Sequence, residues 1–268
     1  MRQPIFDSSK FLLIAGPCSL ENEELCCQVA EQLKVLKEQY RNKINIVFKA
    51  SFDKANRTDV HSHRGIGIDK GLEILAKIKQ QYKMPVLTDI HLPGQAERVG
   101  NVCDVLQIPA FLCRQTDLLE AVAKTKKTVN VKKGQFLSPY DMKFVVDKLR
   151  YFGAEEIWQT DRGTTFGYGN LVVDMRSFPI MAQNNTPVIL DATHSLQMPG
   201  NGIGITGGDR QFILPLSQAA IGAGANGLFI ETHPDPNNAW SDKATQLPLT
   251  QLATVVGKCI KLWENINK

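Results

Sequence analysis

Long apolar runs are missing: no stretch of the 268-residue chain approaches the ~20 consecutive apolar residues that a bilayer-crossing helix needs. The first ten residues, MRQPIFDSSK, lack a basic region leading into an apolar core and a small-residue cleavage site. The six cysteines, Cys18, Cys26, Cys27, Cys103, Cys113 and Cys259, contain no C-x-x-C pair. Cys26 and Cys27 are neighbours on an expected helix, where their side chains diverge. These absences predict a reduced, cytoplasmic protein with no membrane partner.

A concentrated basic block is missing too. The 31 basic and 27 acidic residues give a net charge of +4 and are spread along the chain, which argues against a nucleic-acid surface. No linker-like or low-complexity stretch divides the sequence. No compact dinucleotide fingerprint follows the first apolar run, where the turn is Gly16-Pro17-Cys18, so a doubly wound nucleotide-binding sheet is disfavoured.

What is present is a regular alternation, with 43% hydrophobic residues to build a large core. Apolar runs at 11–17, 45–50, 85–90, 103–108, 128–132, 157–161, 187–192 and 227–231 predict strands. Amphipathic stretches at 21–39, 68–82, 94–100, 115–125, 139–151, 172–184, 210–224 and 247–266 predict helices. Strand followed by helix, repeated eight times, predicts one (β/α)₈ TIM barrel over 1–268, with a short N-terminal extension at 1–10.

A barrel gathers the C-terminal ends of its strands into one mouth, and the polar residues there form a rich set. Cys18, His194, Glu231 and Asp242 come from strands one, seven and eight, which are neighbours once the barrel closes. Sulfur, nitrogen and oxygen donors together suit Zn, Fe, Mn or Co better than Mg. Lys49, Lys54 and Arg57, with Asn56 and Thr58, run off the second strand in FKASFDKANRT, a composition suited to phosphate. Lys132 or Lys133 and Arg162 repeat the pattern on strands five and six. Adjacent residues face opposite ways, and Lys132 is assigned inward. Asp89, His91 and Gln107 complete the rim. So many cations at strand ends predict small anionic substrates. His61, His63 and His233 are assigned to loops or supporting contacts, and the glycine-rich stretch Met198 to Arg210 to a mobile lid.

Taken in order, AGPCSLE, FKASFDKANRT, TDIH, LQIPAFLCRQTDLL, VNVKKGQF, DRGTTFGYGNLVVD, DATHSLQ and SDKATQLPL closely resemble the family of 3-deoxy-D-manno-octulosonate 8-phosphate synthases over nearly the whole length. The resemblance implies condensation of phosphoenolpyruvate with D-arabinose 5-phosphate and water in lipopolysaccharide sugar synthesis. A cysteine at position 18, where a metal-free branch has Asn, implies the metal-dependent branch with ligands Cys18, His194, Glu231 and Asp242. It further implies that Lys49, Lys54, Gln107, Lys132 and Arg162 hold phosphoenolpyruvate. Asn56, Arg57, Thr58 and Asp89 would hold the pentose phosphate, with His91 near the reacting groups. Arg114 would reach the pentose phosphate from an adjacent subunit of a homotetramer. Thr58 stands where Ser is usual, and His63 where an apolar aromatic is frequent.

Two alternatives stand beside this. A 3-deoxy-D-arabino-heptulosonate 7-phosphate synthase would use erythrose 4-phosphate, but its corresponding loop typically reads KPRT rather than KANRT. A non-catalytic sugar-phosphate-binding barrel would be expected to lose part of the cation or ligand set, and every position here is filled by a competent side chain.

Overall fold

The run Phe11–Gly16 (β1) is buried along its whole length, as befits a parallel strand covered on both faces. A computed structural model of the chain describes residues 3–199 and 207–267. It places seven more such strands: Ile44–Lys49 (β2), Val86–Asp89 (β3), Val105–Ile108 (β4), Thr128–Lys132 (β5), Ile157–Asp161 (β6), Val188–Asp191 (β7) and Gly227–His233 (β8). All pair in parallel in chain order. β1 closes on β8 in the register Leu12↔Gly227 to Gly16↔Glu231, which makes the predicted eight-stranded barrel. The approach of β2 to β1 needs glycine at position 16, because a Cβ there would lie 1.9 Å from the Lys49 carbonyl oxygen.

Helices Glu23–Gln39 (α1), Ile68–Tyr82 (α2), Ala96–Gly100 (α3), Thr116–Lys124 (α4), Met142–Tyr151 (α5), Ser177–Ala182 (α6), Ile213–Gly222 (α7) and Leu249–Ile266 (α8) alternate with the strands. In α1, Asn22 caps the first turn by accepting from the Leu25 N–H, and Cys26, Val29, Ala30, Leu33 and Leu36 form the buried stripe, at helical spacing. The helix expected over 172–184 is shorter. Leu171–Val172 pairs with Thr164–Thr165 instead, and Pro179, which has no N–H to give, falls in the first turn of α6 where none is required.

The barrel interior is layered. Leu12, Ile14, Val47, Leu87, Val105, Trp158, Ile189 and Phe229 form an apolar plug, while Phe11, Leu13 and Ala15 face the larger core beneath the helices. Residues two positions apart share a face of a strand, so one step above the plug the inward positions are Gly16, Lys49, Asp89, Gln107, Asn130, Thr160, Asp191 and Glu231. Below the plug, Ile5 and Phe6 pack against it, tied by their N–H groups to the Glu156 carboxylate at 3.0 and 2.7 Å.

Candidate active site

A cavity of about 580 Å³ opens above this polar layer. Six basic side chains line it, Lys49, Lys54, Arg57, Lys132, Arg162 and Lys243, against four acidic ones, Asp59, Asp89, Glu231 and Asp242. Two of the cations are spent inside the protein. Lys49 donates to Glu231 Oε1 and to the carbonyls of Pro17 and Cys18 at 3.3 and 2.9 Å, using all three of its protons. Lys132 donates to Asp191 Oδ2 at 2.6 Å and lies 3.6 Å above the Phe229 ring centroid. Burial lowers the pKa of the Lys132 ammonium against the pull of Asp191 and Asp89. Lys54 is 3.7 Å from Glu231. Arg57, Arg162 and Lys243 line the cavity with no carboxylate within ion-pair reach among the described residues, so they are the cations open to an anionic ligand.

Cys18, His194, Glu231 and Asp242 each present a ligand atom, and these atoms lie within 4.8 Å of one another. Cys18 follows the tip of β1, Glu231 lies within β8, and His194 and Asp242 stand on turns beyond β7 and β8. Asp242 takes a left-handed backbone (φ 50°), a conformation Asp tolerates better than most residues and one concentrated at functional sites. The Cys18 thiol donates to Asp242 Oδ2 at 2.9 Å and accepts from the Ser241 hydroxyl at 2.7 Å. The Cys18 N–H donates to Gln246 Oε1 at 3.2 Å. His194 pairs through Nδ1 with Asp191 Oδ2 at 2.7 Å, which turns Nε2 toward Glu231 Oε2 at 3.4 Å.

The residues present fit a divalent transition metal. Glu231 Oε2 is buried and has no hydrogen-bond donor among the described residues. Burial pushes the Cys18 thiol well above its usual pKa, and Asp242 and Glu231 push it further. For Glu231, burial works the other way from its neighbours, and His194, Lys49 and Lys54 overcome it to hold the carboxyl below its usual range. A doubly charged cation would take the place of the thiol proton and relieve this crowding of acids, and a buried carboxylate oxygen without a donor is a free ligand position. The pairing of His194 with Asp191 is the carboxylate–histidine arrangement that orients metal-binding imidazoles.

The other expected residues are distributed as follows. Asn56, Arg57, Thr58, Asp89, His91, Gln107 and Arg162 line the cavity. His91 sits edge-on to Phe52 at 6.1 Å, and burial lowers its pKa although Asp89 and Asp53 oppose this, so the ring is neutral at pH 7. Lys133 points outward, fully buried, 3.4 Å from Asp161 and beside the Gly163 carbonyl and the Thr164 hydroxyl. Arg114 is exposed beyond β4 and does not line this chain's cavity. His63 stacks on Trp240 at 5.0 Å and 21°, so the imidazole supplies a flat ring where the resemblance leads one to expect an aromatic. His61 is an exposed loop residue. His233 accepts from the Asp235 N–H at 2.9 Å and is outside the ligand cluster. Of the stretch expected to be a lid, residues 200–206 lie outside the described residues; its base, Gln197–Met198, pairs with Gly207–Gly208.

Several site residues carry no motif of their own. Asp191 is accessible from the alternation that puts Ile189 in the plug and therefore Asp191 in the mouth. Ser51, which donates to Asp89 Oδ2, and Gln197, which donates to Asp242 Oδ1 at 2.6 Å and accepts from Arg162, give no signal in the sequence. Their partners lie 35 to 45 residues away.

A closed barrel whose mouth sets a sulfur, nitrogen and oxygen cluster beside unspent cations defines a metal-capable barrel enzyme for anionic substrates. The chain belongs to the DAHP synthetase I family, whose model matches residues 5–267. It is 53% identical over 258 residues, covering 96% of this chain and 93% of the relative, to the 2-dehydro-3-deoxyphosphooctonate aldolase of Rickettsia bellii. Proteins of the same name from Desulfotalea psychrophila (53% identical, 94% of this chain and 89% of the relative) and Rickettsia typhi (50%, 97% and 93%) are similar throughout.

Proposed function

We infer that the chain condenses phosphoenolpyruvate with D-arabinose 5-phosphate and water, giving 3-deoxy-D-manno-octulosonate 8-phosphate and inorganic phosphate for lipopolysaccharide sugar synthesis. The observation that carries the reading is the convergence of the Cys18, His194, Glu231 and Asp242 ligand atoms on the same cavity as Lys54, Arg57 and Arg162. The near-full-length relatives named for the octonate support the five-carbon acceptor over erythrose 4-phosphate.

In this reading C3 of the enol bonds to the aldehyde carbon, water oxygen bonds to C2, and C–O cleavage then releases phosphate. Two anions must approach each other for the first bond, and Lys54 and Arg162 lower that repulsion around the phosphoenolpyruvate, with Lys132, paired to Asp191, completing the wall beside it. Lys49 acts on the same ligand indirectly, since its protons fix Glu231 and the β1 turn. Gln107 donates N–H groups beside it. Asn56, Arg57 and Thr58 hold the pentose phosphate, Asp89 accepts from pentose hydroxyls, and neutral His91 stands by the reacting carbons. Cys18, His194, Glu231 and Asp242 hold a Zn, Fe, Mn or Co ion, which when bound supplies orientation and electrophilic assistance to a carbonyl oxygen.

The assembly we propose is a cytoplasmic homotetramer in which Arg114 completes a neighbour's pentose phosphate site. Phe111, Phe136, Tyr140 and Phe144 are each more than half exposed on the segments after β4 and β5 that also carry Arg114, an apolar surface that a second copy would cover. No helix among the described residues is long and apolar enough to cross a membrane. Phosphate release from phosphoenolpyruvate, assayed with arabinose 5-phosphate and with erythrose 4-phosphate before and after chelation, tests acceptor and metal together. Preference for the four-carbon sugar overturns the acceptor, and full activity in chelator overturns the metal.

A further inference from the structure

Inside the barrel, one step above the apolar plug, four strands are joined by a single file of hydrogen bonds. The Thr160 hydroxyl (β6) donates to Asn130 Oδ1 (β5) at 2.7 Å. Asn130 Nδ2 donates to Gln107 Oε1 (β4) at 2.8 Å, and Gln107 Nε2 donates to Asp89 Oδ1 (β3) at 2.6 Å. Asp89 and Gln107 line the cavity, whereas Asn130 and Thr160 do not and are wholly buried. The register sets the spacing, since Asp89 pairs with Gln107 and Gln107 with Asn130.

The file has only one polarity. An ionised Asp89 offers acceptors alone, so Gln107 must turn its NH₂ toward it and its oxygen toward β5. Asn130 must then show its NH₂ to Gln107 and its oxygen to Thr160, whose hydroxyl is free to rotate into the donor role. Burial works to raise the Asp89 pKa, but Lys54, Lys49 and Lys132 overcome it and keep the group ionised. A primary amide that lacks this brace can flip, exchanging donor for acceptor with almost no change of shape. A flipped Gln107 would present a carbonyl to the part of the cavity that takes an anion.

Resting on the reaction proposed above, we propose that Asn130 and Thr160 are positioning residues that lock the Gln107 amide with its N–H groups toward Asp89 and the phosphoenolpyruvate site. Neither touches substrate. They act by denying Gln107 its inverted orientation, so the chemical polarity of the site is set by side chains that do not line it.

The experiment is a calorimetric titration of phosphoenolpyruvate into the metal-loaded protein and its N130A, N130D, D89N and N130D/D89N variants. Asn130→Ala removes the brace and weakens binding about threefold. Asn130→Asp keeps the shape but offers only acceptors, drives the amide over, and weakens binding at least thirtyfold, with metal affinity unchanged. In the N130D background D89N restores binding at least tenfold over N130D alone, because the amide it introduces on β3 can donate to the inverted carbonyl. Equal losses in N130A and N130D, or additive effects of N130D and D89N, overturn the proposal. Should N130D not fold, Thr160→Val decides: it weakens binding about threefold if the file holds the amide and leaves it unchanged if not. Unfolding midpoints of the same variants without ligand read the N130D–D89N coupling even if phosphoenolpyruvate is not the substrate. Wild-type phosphate release, measured alongside, tests the reaction itself separately.

Discussion

Nδ1 of His194 lies 2.7 Å from Oδ2 of Asp191, and the carboxylate has no exposure to solvent. The pair leaves Nε2 of the imidazole as the only ring atom available to a cation. Burial alone would raise the Asp191 pKa, but His194 and Lys132 hold it well below the usual carboxylate range. The charge is therefore present at neutral pH. Replacing it with the neutral isostere, Asp191→Asn, is expected to weaken metal binding about 10–100-fold, read by competition with a chromogenic chelator.

Removing the sulfur is more severe. Cys18→Ala takes one ligand away without substitute, and retained metal per chain, measured by elemental analysis after gel filtration, should fall close to zero together with activity. Full activity of this variant in chelator would remove Cys18 from the site.

Lys49 and Glu231 form a buried pair with almost no exposure on either side. Lys49→Met removes the closest cation from Glu231, leaving Lys54 at 3.7 Å as the nearest ammonium, and should cost about 3–5 kcal/mol of stability in chelator, measured by urea unfolding. The loss should be smaller in metal, since a cation on Glu231 supplies the missing positive charge; an equal loss in both conditions would show that Glu231 is not a ligand.

At the floor of the barrel, Glu156 accepts from the N–H groups of Ile5 and Phe6, the Thr128 hydroxyl at 2.8 Å and the Trp158 indole at 3.0 Å. Glu156→Ala strands these donors and should destabilise the fold by about 2–4 kcal/mol. The chemistry lies at the opposite end of the strands, so kcat and KM of the folded variant should stay within about twofold.

His91 gives a pH signature. Its pKa in the folded chain is lowered, mainly by burial, whereas the unfolded chain has the ordinary value near ~6.5. Above that value both states are neutral and the ring contributes nothing. As pH falls through it toward the folded pKa, only the unfolded state takes up a proton, so stability is lost. Urea midpoints taken from pH 7.5 down to 5.5 should therefore fall more steeply for the wild type than for His91→Gln.

The fold was legible because its signal is periodic. Eight apolar runs of buried-strand length cannot alternate with eight amphipathic stretches and leave many architectures open, and the helix over 172–184 misled only because Leu171 and Val172 continue an apolar pattern that a local hairpin uses. The convergence of Cys18, His194 and Glu231 was legible for a related reason: they sit at or just beyond strand ends, where a barrel makes distant segments neighbours. Lys49 shows where such reading stops. Its inward direction follows from its place two residues beyond Val47, but the consumption of its protons by Glu231 and the β1 turn depends on distances across the closed barrel. Glu156 is similar, since its partners Ile5 and Phe6 lie 151 and 150 residues away and no spacing rule connects them.

The His63–Trp240 stack has a practical outcome. Of the three tryptophans, Trp158 and Trp263 are packed away from the cavity, and only Trp240 belongs to its wall, two residues from Asp242. The chain thus carries a built-in optical reporter. A change in indole emission on adding metal or pentose phosphate is expected to come from Trp240, and a variant lacking the His63 ring stacked on it gives the baseline.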